Sequence, residues 1–446
     1  MKISVIGCGY LGAVHAAAMA DLGHDVIGID VDAARVEVLA AGHPPFYEPG
    51  LPALLARAGA SGRLRFSTDI ADAAGASVHF VAVGTPQRSD GNGADLTFLN
   101  AAVDALLPHL APGDLVVGKS TVPVGTAADL LPRIATTGAS LAWNPEFLRE
   151  GHAIADTLIP DRIVYGLVRP ADETLLDEVY AGALAADVPK IVTDLATAEL
   201  VKVAANAFLA TKISFINAMA EVAEATGADV TQLADALGHD ERIGRRFLGA
   251  GLGFGGGCLP KDIRAFMARA DELGVDQALG FLGEVDAINN RRRDRLVDVV
   301  LEEFGGSVAG RRIAVLGLAF KPDSDDVRDS PALDVAVRLA GLGAEVTATD
   351  PQAVQTSLRR HPQLRYATCV GAAVTDAEAV LVLTEWREYR ELDPAAVGML
   401  ASSKLVVDGR NCLDRDEWVA AGWRYRALGR PAAGPARVAA PALVEA

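Results

Sequence analysis

A cysteine set among glycines is the feature of this chain best suited to covalent chemistry: Gly253-Phe-Gly255-Gly256-Gly257-Cys258-Leu-Pro260-Lys261-Asp262. Pro260 suits the first turn of a following helix. Cys258 then falls at a helix N-terminus beside Lys261, and both features favour thiolate over thiol. The glycines would leave bare backbone next to a ligand, and Asp262, four residues on, returns to the helix face of Cys258. An isolated cysteine is more often a buried structural one, but the open loop and the Lys261-Asp262 pair favour a nucleophile. Cys8, Cys369 and Cys412 lack such neighbours. Lys202 and Asn206 lie four apart in an otherwise apolar helical segment and share a face. The lysine either snorkels to solvent or stabilises a developing oxyanion beside Asn206. Glu146 and Glu150, in Asn144-Pro145-Glu146-Phe147-Leu148-Arg149-Glu150-Gly151, share a face if that segment is helical.

The second chemical feature is Gly7-Cys-Gly9-Tyr10-Leu11-Gly12, with Asp30 eighteen residues beyond Gly12. The first glycine permits a tight turn, the second lets a pyrophosphate approach the backbone, and the third lets helix pack on strand. The phosphates then meet free amides at a helix N-terminus. Asp30, ending the next strand, accepts from the adenosine ribose and repels a 2′-phosphate, so NAD is expected over NADP. Arg35 is the one nearby group that could accommodate that phosphate. In the C-terminal half, Gly317-Leu-Ala-Phe320 takes the corresponding place without the glycine spacing, so a second dinucleotide is not expected there.

These groups need a frame. Apolar runs at Lys2–Gly7, Asp25–Asp30, Val78–Val83, Leu115–Lys119 and Leu141–Trp143 alternate with Ala/Leu-rich helical stretches. That alternation implies a parallel sheet covered on both faces, with ligands beyond the strand C-termini. Glu146, Ser120–Thr126 and Gly84-Thr85-Pro86 all follow such strands. Residues 195–226 contain neither Gly nor Pro and predict one helix of about 45 Å. The pattern restarts at Arg311, with strands at Glu345–Asp350, Val380–Thr384 and Leu405–Asp408. The expected fold is α/β: two Rossmann-like, doubly wound parallel-sheet domains joined by a central helical domain with a long connecting helix. The bulk numbers agree, since 446 residues, half of them hydrophobic, suit two or three domains. A net charge of −17 disfavours nucleic acid or an anionic membrane as partner. Four scattered cysteines argue against a disulfide framework or a metal site and for a cytoplasmic protein. No run of about eighteen apolar residues is expected to span a membrane, and the apolar N-terminus reads as mature sequence. The Ala/Pro-rich end, 430–446, is expected to be a disordered tail.

In this order the motifs resemble the UDP-glucose/GDP-mannose dehydrogenase family. They are Gly7–Gly12, Tyr47-Glu-Pro-Gly-Leu51, Ser120–Thr126, Asn144–Gly151, Glu199–Asn206, Phe254–Asp262, Gly317–Lys321 and Asp325–Pro331. The resemblance reaches to about Gly429. It implies an NAD-binding domain at 1–194, a central helical domain at 195–295 that makes a dimer, and a nucleotide-sugar-binding domain at 296–429. It also implies a four-electron oxidation of a sugar C6 alcohol to the acid by two NAD in turn, through a thiohemiacetal and a thioester on Cys258. Thr121 and Asp262 would orient a water serving as base, Lys202 and Asn206 would hold oxyanions, and Glu146 would assist thioester hydrolysis. Besides Gly7, Gly9, Tyr10, Leu11, Gly12, Asp30 and Arg35, the cofactor would meet Thr85, Thr121, Glu150, Lys261 and Arg328. The substrate would meet Glu146, Phe147, Leu148, Lys202, Asn206, Phe247, Gly255, Phe320, Lys321 and Arg410, with Arg242 reaching across a dimer interface. UDP-glucose is favoured as substrate over GDP-mannose or a UDP-N-acetylhexosamine, and a non-catalytic nucleotide-sugar regulator is the alternative from another class. Two departures stand out: Gly257 where the family commonly has serine, and Leu259 where the UDP-glucose branch often has phenylalanine.

Overall fold

A computed structural model describes residues 1–436. Their contacts group them into two units, Met1–Asn206 with Lys261–Leu279, and Ala207–Pro260 with the chain from Gly280 onward. The divisions between the units all fall inside the segment 195–295. The reason is local: helix Leu195–Thr226 runs unbroken through the first of them, and helix Leu259–Glu272 begins just before the second.

The first unit carries β1 (Lys2–Ile6), β2 (Asp25–Ile29), β3 (Leu64–Ser67), β4 (Val78–Val81), β5 (Leu115–Gly118), β6 (Ser140–Trp143), β7 (Ile163–Leu167) and β8 (Lys190–Thr193). They form one sheet in the order β3-β2-β1-β4-β5-β6-β7-β8. Its first six strands have the doubly wound order and switch direction of travel between β1 and β4. Only β6 and β7 pair antiparallel, through Ala142↔Leu167 and Trp143↔Gly166. Alternate side chains feed separate cores: Ile3, Val5, Val78, Phe80, Leu115 and Val117 on one face, and Ile6, Ile27, Val81, Val116 and Leu141 on the other. This is why the strands read as continuous apolar runs.

The second unit carries β9 (Arg312–Leu316), β10 (Glu345–Thr349), β11 (Arg365–Tyr366), β12 (Ala379–Val382), β13 (Leu405–Asp408) and β14 (Arg424–Ala427). All its pairs are parallel, in the order β11-β10-β9-β12-β13-β14. The doubly wound order therefore occurs twice in the chain. Order also continues past the expected boundary at Gly429. Ala433 exchanges backbone hydrogen bonds with Tyr425, and Arg430 donates to Asp229 at 3.1 Å, so the start of the expected tail is packed. Its remainder, from 437, lies outside the described residues.

Helix Leu195–Thr226 has the expected length of 32 residues. By length and composition it is also apolar enough to cross a membrane, which corrects the expectation that no segment is. Ser214 and Asn217 on it are nevertheless buried and hydrogen-bonded within the protein. Ser214 donates to the Val285 carbonyl at 2.7 Å, and Asn217 accepts from the Gly251 amide at 2.9 Å.

Candidate active site

The glycine turn after β1 takes the form that a dinucleotide requires. Gly7 has φ +89°, and a Cβ there would lie 2.8 Å from the Val83 side chain. A Cβ on Gly12 would lie 1.8 Å from the Gly7 carbonyl oxygen, whereas one on Gly9 meets nothing within 4 Å. Gly9 is thus the open approach, and Tyr10 and Leu11 start the helix Tyr10–Asp21 whose N-terminus faces it. Asp30 is buried at the end of β2 and accepts from the Cys8 amide at 2.7 Å, holding the turn against the strand. Arg35 donates to both Asp30 oxygens at 3.0 Å and pairs with Asp32 at 3.4 Å. Its charge is therefore balanced by two carboxylates rather than offered to a phosphate. The turn fits NAD, whose pyrophosphate Gly9 would admit. Two substitutions separate its duties. Gly12→Ala should lower the melting temperature by several degrees, because backbone must move. Gly9→Ala should leave the melting temperature within about a degree and weaken NAD binding by about tenfold or more; calorimetric titration with NAD alongside thermal melts checks both.

The Tyr10 hydroxyl donates to Glu48, which also accepts from the amides of Gly151 and Ala153 at 2.6 and 2.8 Å. Burial first, then Glu48 and Glu150, raise the Tyr10 phenol above its ordinary value. The Tyr47–Leu51 motif thus ties the glycine turn to the chain after Glu150. The C-terminal turn differs. Asp350, at the place corresponding to Asp30, accepts from the amides of Leu318, Ala319, Gln352 and Ala353 and from the Trp386 indole. Its lone pairs are consumed by its own loops, leaving little for a ribose.

In the first unit the structure brings several expected residues together beyond the strand ends. Lys202 does not snorkel: it is buried, with its ammonium 2.9 Å from Glu146. Asn206 donates to Asp262 at 2.7 Å, and Lys261 pairs with the other Asp262 oxygen at 2.5 Å. Thr85 donates to the Thr121 carbonyl at 2.7 Å. Thr85, Thr121, Lys261 and Asp262 line a cavity of about 10 Å³. The segment after β6 is not helical, however. From Asn144 to Arg149 it is irregular, since a residue before proline avoids the helical region, and Glu146 folds back to accept from the Leu148 amide at 2.8 Å. Glu146 and Glu150 therefore share no helix face: one meets Lys202, while the other is felt by Tyr10. The Phe147 ring lies under the Arg162 guanidinium at 3.8 Å and 5.7 Å from Lys202.

Three nearby residues carry no expected role. Lys119 is buried and donates to Asn144 at 3.0 Å and to Tyr180 at 3.2 Å, and burial lowers it to about 8. Glu199 accepts from the Gly125 and Ala127 amides at 2.7 and 2.6 Å, in place of a cap for the helix Thr126–Ala135, and burial raises it to about 7. Lys119 had a readable signal, a charged residue closing the apolar run of β5. Tyr180, 61 residues further on, had none.

In the second unit the glycine loop is packed against protein rather than bare to a ligand. A Cβ on Gly253 would lie 2.2 Å from the Asn289 amide oxygen, and on Gly255 2.3 Å from the Asp329 carbonyl. On Gly256 it would lie 2.8 Å from the Phe320 ring, and on Gly257 2.3 Å from the Arg328 guanidinium. The absent serine hydroxyl at 257 is thus matched by space that Arg328, itself paired with Asp326 at 2.7 Å, fills. Cys258 is exposed and directly precedes helix Leu259–Glu272. Lys321 lies 5.5 Å from the Phe320 ring centre. Arg410 spends three N–H groups on the carbonyls of Leu383, Gly253 and Phe320, at 2.8, 2.7 and 3.1 Å. Phe247 has φ +65°, an unusual conformation for a bulky residue. Arg242 is exposed and paired with Asp240 at 2.6 Å. Among the described residues, no group of three or more His, Cys, Asp or Glu could hold a metal ion.

Models of three domains of the UDP-glucose/GDP-mannose dehydrogenase family match the chain: the NAD binding domain at residues 1–184, the central domain at 196–291 and the UDP binding domain at 314–415. The chain belongs to this family. It is 42% identical over 443 residues to a UDP-glucose 6-dehydrogenase of Bacillus subtilis (strain 168), covering 98% of this chain and 99% of that protein. It is also 42% identical to a UDP-glucose 6-dehydrogenase of Rhizobium meliloti (strain 1021), with 97% and 100% covered. A UDP-glucose dehydrogenase structure from Pyrobaculum islandicum superposes with a TM-score of 0.87 at 40% identity, covering 96% and 98%. As a member of the UDP-glucose/GDP-mannose dehydrogenase family, the protein is an NAD-dependent dehydrogenase of nucleotide sugars. The family's NAD binding domain carries the turn that fits NAD, and its UDP binding domain covers the half whose own turn is closed by Asp350.

Proposed function

We propose that this protein oxidises the C6 alcohol of UDP-glucose to the carboxylate of UDP-glucuronate through a thioester on Cys258. The placement of Cys258 carries the chemistry. Of the two exposed cysteines, Cys258 and Cys369, only the former adjoins a helix whose first turns hold Lys261 and Asp262. The relatives named above support UDP-glucose as substrate. Bound at the Gly7–Gly12 turn, NAD supplies the hydride acceptor for each of two successive oxidations. Asp262, with Thr121, orients a water that takes the C6 hydroxyl proton as the alcohol becomes an aldehyde. The Cys258 sulfur adds to the aldehyde carbon, and Lys202 and Asn206 hold the oxyanion of the thiohemiacetal. Loss of the remaining C6 hydride leaves the thioester. Glu146 removes a proton from water as it attacks, the C–S bond breaks, and the thiol is regenerated with the acid. Dividing a hard oxidation among covalent steps is the general gain from a nucleophile.

The second unit holds the nucleotide diphosphate, with Lys321 and Arg410 as its cationic residues. Two copies associate through the central helices, where Phe208, Phe215 and Val222 recur at seven-residue spacing and are exposed. Leu259 favours GDP-mannose as a second reading. Limiting UDP-glucose with excess NAD tests both: two NADH per sugar, with UDP-glucuronate as product, are expected. One NADH per sugar would overturn the thioester, and turnover of GDP-mannose alone would overturn the substrate.

A further inference from the structure

Lys119 closes β5 and is 7% exposed, yet among the described residues no carboxylate lies within ion-pair reach of it. Its ammonium has two hydrogen-bond partners, Asn144 Oδ1 and the Tyr180 hydroxyl, and it stands 5.8 and 5.7 Å from the ring centres of Phe80 and Tyr180. Asn144 does not need that cation. Tyr180 donates to the same Oδ1 at 2.5 Å, and the Asn144 Nδ2 donates to the Val164 carbonyl at 2.9 Å. A buried cation without a paired anion costs stability, so the charge acts on something beyond its two contacts.

The groups that feel Lys119 identify what that is. Glu146, after β6, favours its charge, and Lys202, from helix Leu195–Thr226, opposes it. His15, from helix Tyr10–Asp21, is held neutral by burial and then by Lys119, and neither of its ring nitrogens is bonded to another described residue. Lys119, Asn144, Glu146, Tyr180 and His15 line one cavity of about 40 Å³, which Asp156 and Arg162 also border. That volume holds roughly two or three water molecules.

We propose that Lys119 is a positioning residue for Glu146. Its ammonium, acting across the shared cavity and through Asn144 two residues earlier in the chain, keeps the Glu146 carboxylate aimed for the hydrolytic step. This rests on the reading of Glu146 as the base of thioester hydrolysis. Burial leads Lys119 to give up its proton at about 8. Turnover therefore depends on a cation that is present below that pH and absent above it.

Lys119→Met, Tyr180→Phe and Glu146→Gln, compared with the parent, test this. In Lys119→Met the burst of the first oxidation should stay within about twofold, while steady-state turnover at neutral pH falls by about 10- to 100-fold. The limb of the kcat profile near pH 8 should vanish. KM for the sugar should change little. Tyr180→Phe, which removes one hydroxyl, should move the same limb less and keeps the test available if the methionine variant folds poorly. Profiles of both variants that overlay the parent, or losses that only follow the folded fraction, would overturn the proposal. If Glu146→Gln hydrolyses its thioester normally, the reading of Glu146 fails and this proposal with it. If Glu146→Gln accumulates thioester while Lys119→Met matches the parent, only the role of Lys119 fails.

Discussion

Cys258→Ala should lower acid formation by about 10³-fold or more, with NAD and nucleotide-sugar affinities changed by less than about threefold. The side chain is exposed and precedes its helix, so its removal creates no cavity in either core. Stability should stay within about 0.5 kcal/mol of the parent, and any loss of turnover then reports chemistry. The stoichiometry is more telling than the rate. Without a sulfur to add to the aldehyde, the second hydride cannot leave a thiohemiacetal, so the limiting-sugar assay should give at most one NADH per sugar. Two NADH at near-parental rate would show that the aldehyde is oxidised through its hydrate, and Cys258 would lose its role.

Lys202→Met combines a loss of turnover with a loss of stability. Its ammonium is buried, 2.9 Å from Glu146, and the Glu146 side chain is only 12% exposed. Removing one member of a buried pair leaves an uncompensated charge and typically costs about 3–5 kcal/mol. Lys119, across the same cavity, should hold the cost towards the lower figure. Turnover should fall by about 10²- to 10³-fold through loss of oxyanion stabilisation. The double substitution Lys202→Met, Glu146→Gln distinguishes the two effects. It should recover most of the unfolding free energy in urea, because the Glu146 charge left unpaired by the single substitution is removed, and none of the turnover. Recovery of both would remove Lys202 and Glu146 alike from the chemistry and leave them a structural ion pair.

Much of this arrangement was legible in the sequence because it rests on local rules. Gly7, Gly9 and Gly12 each meet the steric demand that their spacing implies, and the gap-free run of helix formers is the helix Leu195–Thr226. Apart from β7, an apolar and buried run that was not read as a strand, the unexpected strands were those with weak patterns. β3 and β11 are short and partly exposed, and β8 shows Ile191 and Val192 to solvent. β14, Arg-Tyr-Arg-Ala, alternates polar and apolar as a strand should, but its four residues gave too little length to separate it from a turn. In the site, Lys202 and Asn206 were legible as a helical pair, while their partners Glu146 and Asp262 are tertiary facts. The glycines before Cys258 misled because composition reports where backbone is bare, not what occupies the space. Here Asn289, Phe320, Arg328 and Asp329 do. Lys119 and Tyr180 meet only because β5 and the chain after the helix Asp172–Val179 converge.

Folding of this protein is also an exchange of protons with solvent. Burial raises Glu199 to about 7, so the native state holds a proton that the unfolded chain has lost between the ordinary carboxylate range and that pH, and stability declines as pH rises across the interval. Burial lowers Lys119 to about 8, so above that pH the native state lacks a proton that the unfolded chain still carries, and stability climbs towards the ordinary lysine range. From opposite directions the two groups place a shallow trough between about 7 and 8. Urea midpoints taken on either side of that interval and within it should trace the trough, and Lys119→Met should erase its alkaline wall. The upper end of the pH range in which Lys119 stays charged is thus close to the pH at which these buried charges hold the protein least firmly.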